Sequence, residues 1–246
     1  MDPAVVTRAT GRVVELKLNR PAVGNALDLA LVEALLDALD GIDGDTCDTV
    51  VLSGEGKGFC GGLNLSQMDN ESDATLLLLL TRIEILLQKV AALPQDTVAL
   101  AHRFAFGAGA DLFAACRRRI AAPGTKFAFP GVRFGVALGT GRLARRVGPD
   151  TARRMLAATA PIELDLALAS GLASEQRVQE EWPALIDDLA TASSSLDAGM
   201  ARVVADRLNP GKDDEDLAAL VRTASRPGLK QRVADYAASV AAARNR

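Results

Sequence analysis

An α/β core with a helical C-terminal part is the fold class this sequence predicts, and three observations predict it. Short apolar runs alternate with helix-periodic segments through the first half of the 246 residues. From about residue 141 onward the pattern is helical. Aromatic residues make up only 4% while Ala and Leu dominate, which favours helices on a small-residue core over a β-sandwich.

The elements follow in order. RVVELKLN, residues 12–19, puts Val14, Leu16 and Leu18 on one face of a strand, and Asn19-Arg20-Pro21 ends it. Asp28 caps the next helix, LALVEALLDALDGI, where Leu31, Leu35 and Leu39 share a face. A buried strand at 48–53 gives way to Gly54, Gly56, Gly58, Gly61 and Gly62. In ATLLLLLTRIEILLQKVAAL, 74–93, the residues Leu76, Leu79, Leu80, Ile83, Leu87 and Val90 recur at helical spacing, and Pro94 stops the helix. Arg82, Glu84 and Lys89 make that run too polar to span a bilayer. The polar stretch before it, 66–75, reads as a lid. DTVALAH, 96–102, is a strand that enters a Gly-rich turn and a helix, FGAGADLFAAC. Residues 117–135 read as two short strands around Pro123-Gly124. Helices are expected at 151–159, at 163–171, after Pro183, near 195–208, and from about 214 to 243, with a hinge at NPGKDDED, 209–216. The expected division is a core over 1–180 and a C-terminal helical region over 181–246.

Composition excludes several functions. The net charge of −3 speaks against a non-specific nucleic-acid surface. The basic clusters at Arg117–Arg119 and at Arg142, Arg145 and Arg146 read as solvated or subunit-facing. Cys47, Cys60 and Cys116 form no C-x-x-C pair, so neither a disulfide framework nor a zinc site is expected. The first residues, MDPAVVTRAT, lack a secretory pattern, and the expected location is the cytoplasm, with no membrane partner.

The two glycine loops, at 56–62 and 107–109, carry the chemistry. Neither has a phosphate-cradle pattern, G-x-x-x-x-G-K-[ST] or G-x-G-x-x-G opening a helix. Each follows an apolar strand. If each supplies one backbone N–H to a common point, the pair is an oxyanion hole. The alternative is two turns that need left-handed backbone.

VVLSGEGKGFCGGLNLS resembles the first signature of the enoyl-CoA hydratase/isomerase (crotonase) family, V-V-L-T-G-x-G-x-x-F-C-A-G-x-D-L. AHRFAFGAGADLFAACRRRIAAPGTKFAFPGVRFG resembles its second signature. LNRPAVGNAL, 18–27, and PIELDLALASGLASE, 161–175, resemble flanking motifs in the same order. The resemblance implies a crotonase-like spiral of β-β-α units with a C-terminal helical region for trimer assembly, as a homotrimer or hexamer. It implies an acyl-CoA thioester as substrate and no further cofactor. It places the enolate-stabilising donors at Gly61 and Ala108, and the first catalytic carboxylate at Asp111. Substrate contacts would come from Cys60, Gly62, Leu63, Asn64, Gly107, Gly109, Gly131 and Phe134. Contacts with coenzyme A would come from Ala22, Val23, Asn25 and Lys57.

Several positions depart from that pattern. Asp111 stands where the hydratases have Glu, about 1.5 Å shorter, and Gly131 stands where they have a second Glu. Asn64 replaces Asp, Arg103 replaces Gly and Arg117 replaces Asp. LGTGRL, 138–143, is a shortened loop, and the basic residue that usually follows N-R-P is missing, with Lys57 as its partial substitute. Hydration needs an acid and a base in one small volume. One carboxylate suits double-bond isomerisation better. Decarboxylation or thioester hydrolysis on the same hole, and a non-catalytic thioester-binding subunit, are the alternatives. His102, Cys60 and Cys116 are expected to be structural.

Overall fold

Parallel strands buried on both faces need apolar side chains in both directions, and the sheet is built that way. The computed structural model describes residues 2–158, 160–192, 199–200, 203–204, 207 and 213–244. Its main sheet contains β1 (Val5–Thr10), β2 (Val13–Leu18), β3 (Thr49–Gly54), β4 (Asp96–Ala101), β6 (Arg118–Ala121) and β8 (Glu175–Gln176), in the spatial order β1-β2-β3-β4-β6-β8. β1 is antiparallel to β2, with Val5 opposite Leu18, and every other pairing in this sheet is parallel. β1 was not legible in the sequence. Its VVTRAT is an edge strand and is partly exposed along its length.

Side chains alternate across this sheet. Leu16, Leu18, Val50, Leu52, Ala99 and Ala101 enter the large core beneath α1 (Leu29–Asp40), α2 (Asp73–Ala92) and α3 (Ala108–Ala115). Val13, Val51, Val98, Leu100 and Ile120 point the other way, onto Trp182 and Leu185 of α7 (Trp182–Thr191). The segment after residue 180 therefore completes the sheet's second face rather than standing apart from the core.

A second layer carries the site. β5 (Phe104–Phe106) and β7 (Lys126–Ala128) pair in parallel. Single bridges extend this pair, from Leu27 to Leu63, Cys60 to Ala105 and Phe127 to Ile162. The two short strands around Pro123-Gly124 thus separate. β6 joins the main sheet and β7 joins the small one. α3 is buried along all of its residues, and the Phe113 ring meets Phe59 and Phe127 at 6.3 and 4.9 Å.

Helix caps agree with the sequence. The Asp28 carboxylate accepts from Leu31 N at 2.9 Å. Ser72 and Thr75 form a capping box at the start of α2. The stretch expected as a lid holds a 3-10 turn, Leu65–Asn70, followed by this cap, and its Met68 is buried. Beyond it come α4 (Thr140–Val147), α5 (Pro149–Ala157) and α6 (Leu164–Ala169). The single last helix expected at 214–243 is two, α8 (Asp213–Ala224) and α9 (Leu229–Arg244), because Pro227 and Gly228 interrupt it. The helix near 195–208 falls largely outside the described residues, as do residues 209–212 of the hinge expected at 209–216, whose remaining residues open α8. No described helix is long and apolar enough to cross a membrane.

Candidate active site

A cavity of about 600 Å³ lies between the small sheet, α3, α5 and α9. Its walls are mostly apolar, with Leu65, Leu80, Phe129, Val136, Met155 and Val240 among them. Among the described residues, Asp111 is the one carboxylate that lines it.

Backbone direction decides which N–H groups face this cavity. In the bridge to Leu27, Leu27 N donates to Gly62 O at 2.6 Å and Asn64 N donates to Leu27 O at 2.9 Å. Alternation along an extended strand then turns the Leu63 N–H to the opposite edge, towards Gly107 and Ala108. No acceptor is found for the Leu63 N–H among the described residues. The Ala108 N–H is equally idle, because Ala108 is the first residue of α3 and the first turn of a helix has no intrahelical acceptor. The two loops touch: a Cβ on Gly62 would lie 2.5 Å from Phe106 O and 3.3 Å from Ala108 N. Both idle donors therefore border one cavity. Gly61 differs from its expected role, since its N–H donates to Gly24 O at 2.9 Å. The donor on the first loop is thus two residues further on.

Asp111 sits one turn into α3 and is 6% exposed. Its carboxyl packs on Gly139, where a Cβ would lie 2.3 Å from Oδ1. It makes no hydrogen bond among the described residues. Burial pushes its proton affinity well above the usual carboxylate range; the nearby Arg142 guanidinium opposes that shift and Glu84 adds to it. Arg142 and Glu84 are themselves a buried ion pair, with Nη2 to Oε1 at 3.0 Å. Such a pair is held in place because removing either member strands the other charge.

The family model for enoyl-CoA hydratase/isomerase matches residues 8–221. The chain belongs to that family. The 2,3-dehydroadipyl-CoA hydratase of Escherichia coli K12 is 34% identical over 179 residues, which is 71% of this chain and 69% of that one. The crotonyl-CoA hydratase of Syntrophomonas wolfei is 29% identical over 182 residues, 72% of this chain and 70% of its own. Among solved structures, a candidate enoyl-CoA hydratase/isomerase from Bordetella parapertussis superposes with a TM-score of 0.92 at 39% identity, over 96% of this chain and 99% of the other. The family is one of acyl-CoA-processing enzymes, and the mixed α/β fold matches.

Within this fold the residues singled out from sequence separate into two groups. Leu63, Gly107, Gly131 and Phe134 line the cavity, together with Gly61, Ala108 and Asp111. Cys60, Gly62, Asn64 and Gly109 do not. The Cys60 thiol is fully buried, donates to Asn25 O at 3.1 Å and is pushed by burial up to about 12. Asn64 accepts from Ser66 N at 3.1 Å and starts the following 3-10 turn. Gly109 is where α3 crosses Cys60, so closely that a Cβ would sit 2.4 Å from Cys60 O. Gly109→Ala is therefore expected to cost about 2–3 kcal/mol by overpacking, measured as a lowered denaturation midpoint.

The four residues expected at coenzyme A also divide. Ala22, Val23 and Lys57 are exposed outside the cavity. Asn25 is fully buried and cannot reach a ligand. Its side chain accepts from Arg20 N at 2.8 Å and donates to Glu55 O and Gly58 O at 2.9 and 3.0 Å, which brackets the loop behind the donors.

Of the departures, Arg103 stands in a backbone that favours Gly, and Arg117 has gained a structural role. Arg103 has φ +55°, the left-handed backbone in which Gly is free of strain. Arg117 donates to Leu93 O and Gln95 O, at the end of α2. His102 is buried, its Nε2 lies 2.9 Å from Gly56 O, and its ring meets Trp182 edge-on at 5.8 Å. The wall residues Met155, Tyr236 and Val240 were missed as site residues, because apolar helix positions read only as core or subunit contact.

Proposed function

We propose that this chain moves a double bond within an enoyl-CoA thioester. The thioester oxygen sits between the N–H groups of Leu63 and Ala108. Asp111 as carboxylate takes a proton from the carbon next to the carbonyl, and the electron pair passes to the oxygen, where the two donors stabilise it. Protonated Asp111 then returns the proton to the far end of the conjugated enolate. Atoms and charge balance with one carboxylate and no water.

The observation that carries this reading is that two idle backbone donors and a single carboxylate border one cavity. Gly131 lines the same cavity without a side chain, and among the described residues no second acid lines it to activate water. The named relatives are hydratases, and a hydratase reaction would use Asp111 alone. Ala22, Val23 and Lys57 are proposed to meet the coenzyme A moiety outside the cavity, with no further cofactor. A trimer or hexamer in the cytoplasm is the proposed setting.

Incubation of a 3-enoyl-CoA and of crotonyl-CoA with the protein in D₂O, followed by mass spectrometry, tests the reading. Conjugated product without added water is expected, with deuterium at carbon in the fraction of turnovers in which protonated Asp111 exchanges with solvent before it returns the proton. A mass gain of one water on crotonyl-CoA would overturn the preference for isomerisation. Release of free CoA would replace it with thioester hydrolysis.

A further inference from the structure

Among the described residues, one other charged residue besides Asp111 lines the cavity, Arg133. It belongs to the 3-10 turn Pro130–Phe134, which α9 covers. The Arg133 guanidinium carbon lies 5.5 Å from the centroid of the Tyr236 ring. The Phe134 ring meets the same tyrosine at 5.2 Å, and Arg232 Nε donates to Phe134 O at 3.0 Å. Turn and helix are thus clasped together, and the Arg133 side chain is exposed at the cavity's rim with its guanidinium beside the Tyr236 ring.

A guanidinium stacked this way keeps its N–H edge for a planar acceptor. No carboxylate pairs with Arg133 among the described residues, whereas two arginines further along the chain are matched. Arg142 pairs with Glu84 and Arg145 with Asp216. The neighbouring cavity walls are apolar, with Val136, Leu138, Met155 and Val240. The residues expected at coenzyme A, Lys57 and Val23, do not line this cavity. The phosphates of the nucleotide are the competing partner for Arg133, and the titration below separates the two.

We propose that the acyl group carries a carboxylate at the end remote from the thioester, and that Arg133 binds it. The substrate class is then the monothioester of a dicarboxylic acid. The apolar wall takes the intervening methylenes and Asp111 works at the thioester end. This rests on the reading that places the thioester between Leu63 and Ala108.

Calorimetric titration of the full chain with a matched pair, adipoyl-CoA and hexanoyl-CoA, tests it. Adipoyl-CoA is expected to bind about tenfold more tightly, the ratio for one charge-assisted hydrogen-bonded pair. Arg133→Gln is expected to erase that ratio and to leave hexanoyl-CoA within about twofold. Arg133→Lys is expected to keep part of it, because an ammonium supplies charge without the planar fork. Equal binding of the two thioesters by the unaltered chain would overturn the inference and leave the isomerase reading standing. Equal weakening of both ligands in Arg133→Gln would also overturn it, and would place Arg133 at the coenzyme A moiety. Binding of neither thioester would overturn both readings.

Discussion

Replacing Asp111 by Asn is expected to abolish deuterium exchange into an enoyl thioester while leaving thioester binding intact. Asn keeps the size of the side chain and cannot shuttle a proton. Loss of a positioned acid–base group costs about 10²–10⁴-fold, and in the proposed reaction the same group serves both proton transfers. The unaltered enzyme has a matching pH signature. The reaction begins with the carboxylate form, and burial raises the proton affinity of Asp111 well above the usual carboxylate range. The exchange rate should therefore rise with pH along a limb displaced upwards from ordinary carboxylates. Stability should move the opposite way. In the unfolded chain Asp111 ionises in the ordinary range, whereas the folded state holds its proton to higher pH. The stability linked to Asp111 is fully present below the ordinary value and is lost as pH rises through the raised one. Asp111→Asn should accordingly match the parent's thermal midpoint in acid and exceed it in alkali. A rate limb at ordinary carboxylate pH, or exchange that survives in Asp111→Asn, would remove this residue from the chemistry.

Ala108→Pro is expected to lower kcat/KM by about 10²–10³-fold, the usual cost of one oxyanion donor, with little loss of fold stability. Proline is tolerated at the first position of a helix, where its missing N–H has no intrahelical acceptor to lose. Ala108 occupies that position in α3, after the non-helical Gly107 at φ +53° and ψ −128°. The hydrogen bonds that hold this loop come from the neighbours, with Gly107 N to Ala128 O at 2.8 Å and Asp111 N to Gly107 O at 3.0 Å. The substitution therefore removes the N–H that faces the cavity and spares the rest. Thermal unfolding checks the fold and steady-state kinetics check the donor. Unchanged kinetics in a folded Ala108→Pro protein would mean that charge does not develop beside α3.

Much of the architecture follows from local rules and was legible in the chain. A period of two marks β2, a period of 3.6 marks α1 and α2, and Asp28 and Pro94 punctuate them. The motif order around the two glycine loops sufficed to indicate the family, the acyl-CoA chemistry class, and the positions of Asp111, Ala108 and the empty Gly131. Local rules failed at β1 and β5, which owe their strand character to their neighbours. β5 is only Phe104–Phe106, and its parallel partner β7 lies more than twenty residues away in sequence.

The sequence by itself thus determined which residues can do chemistry: two loops able to offer bare N–H groups, one carboxylate and no second acid. Tertiary structure alone decided which of them face the cavity. A strand alternates its N–H groups between two edges, so a shift of one residue changes an exposed donor into a bonded one. Gly61 lies beyond Gly62, whose φ of +86° turns the chain, so its N–H is tied to Gly24 while that of Leu63 is left idle. The proton affinity of Asp111 is set by its depth in α3 and by Arg142 and Glu84, which approach from α4 and α2. The far wall comes from Tyr236 and Val240, more than a hundred residues away from either loop. Contacts at that separation leave no periodic trace in a chain, because they depend on where helices pack and not on what their neighbours in sequence are.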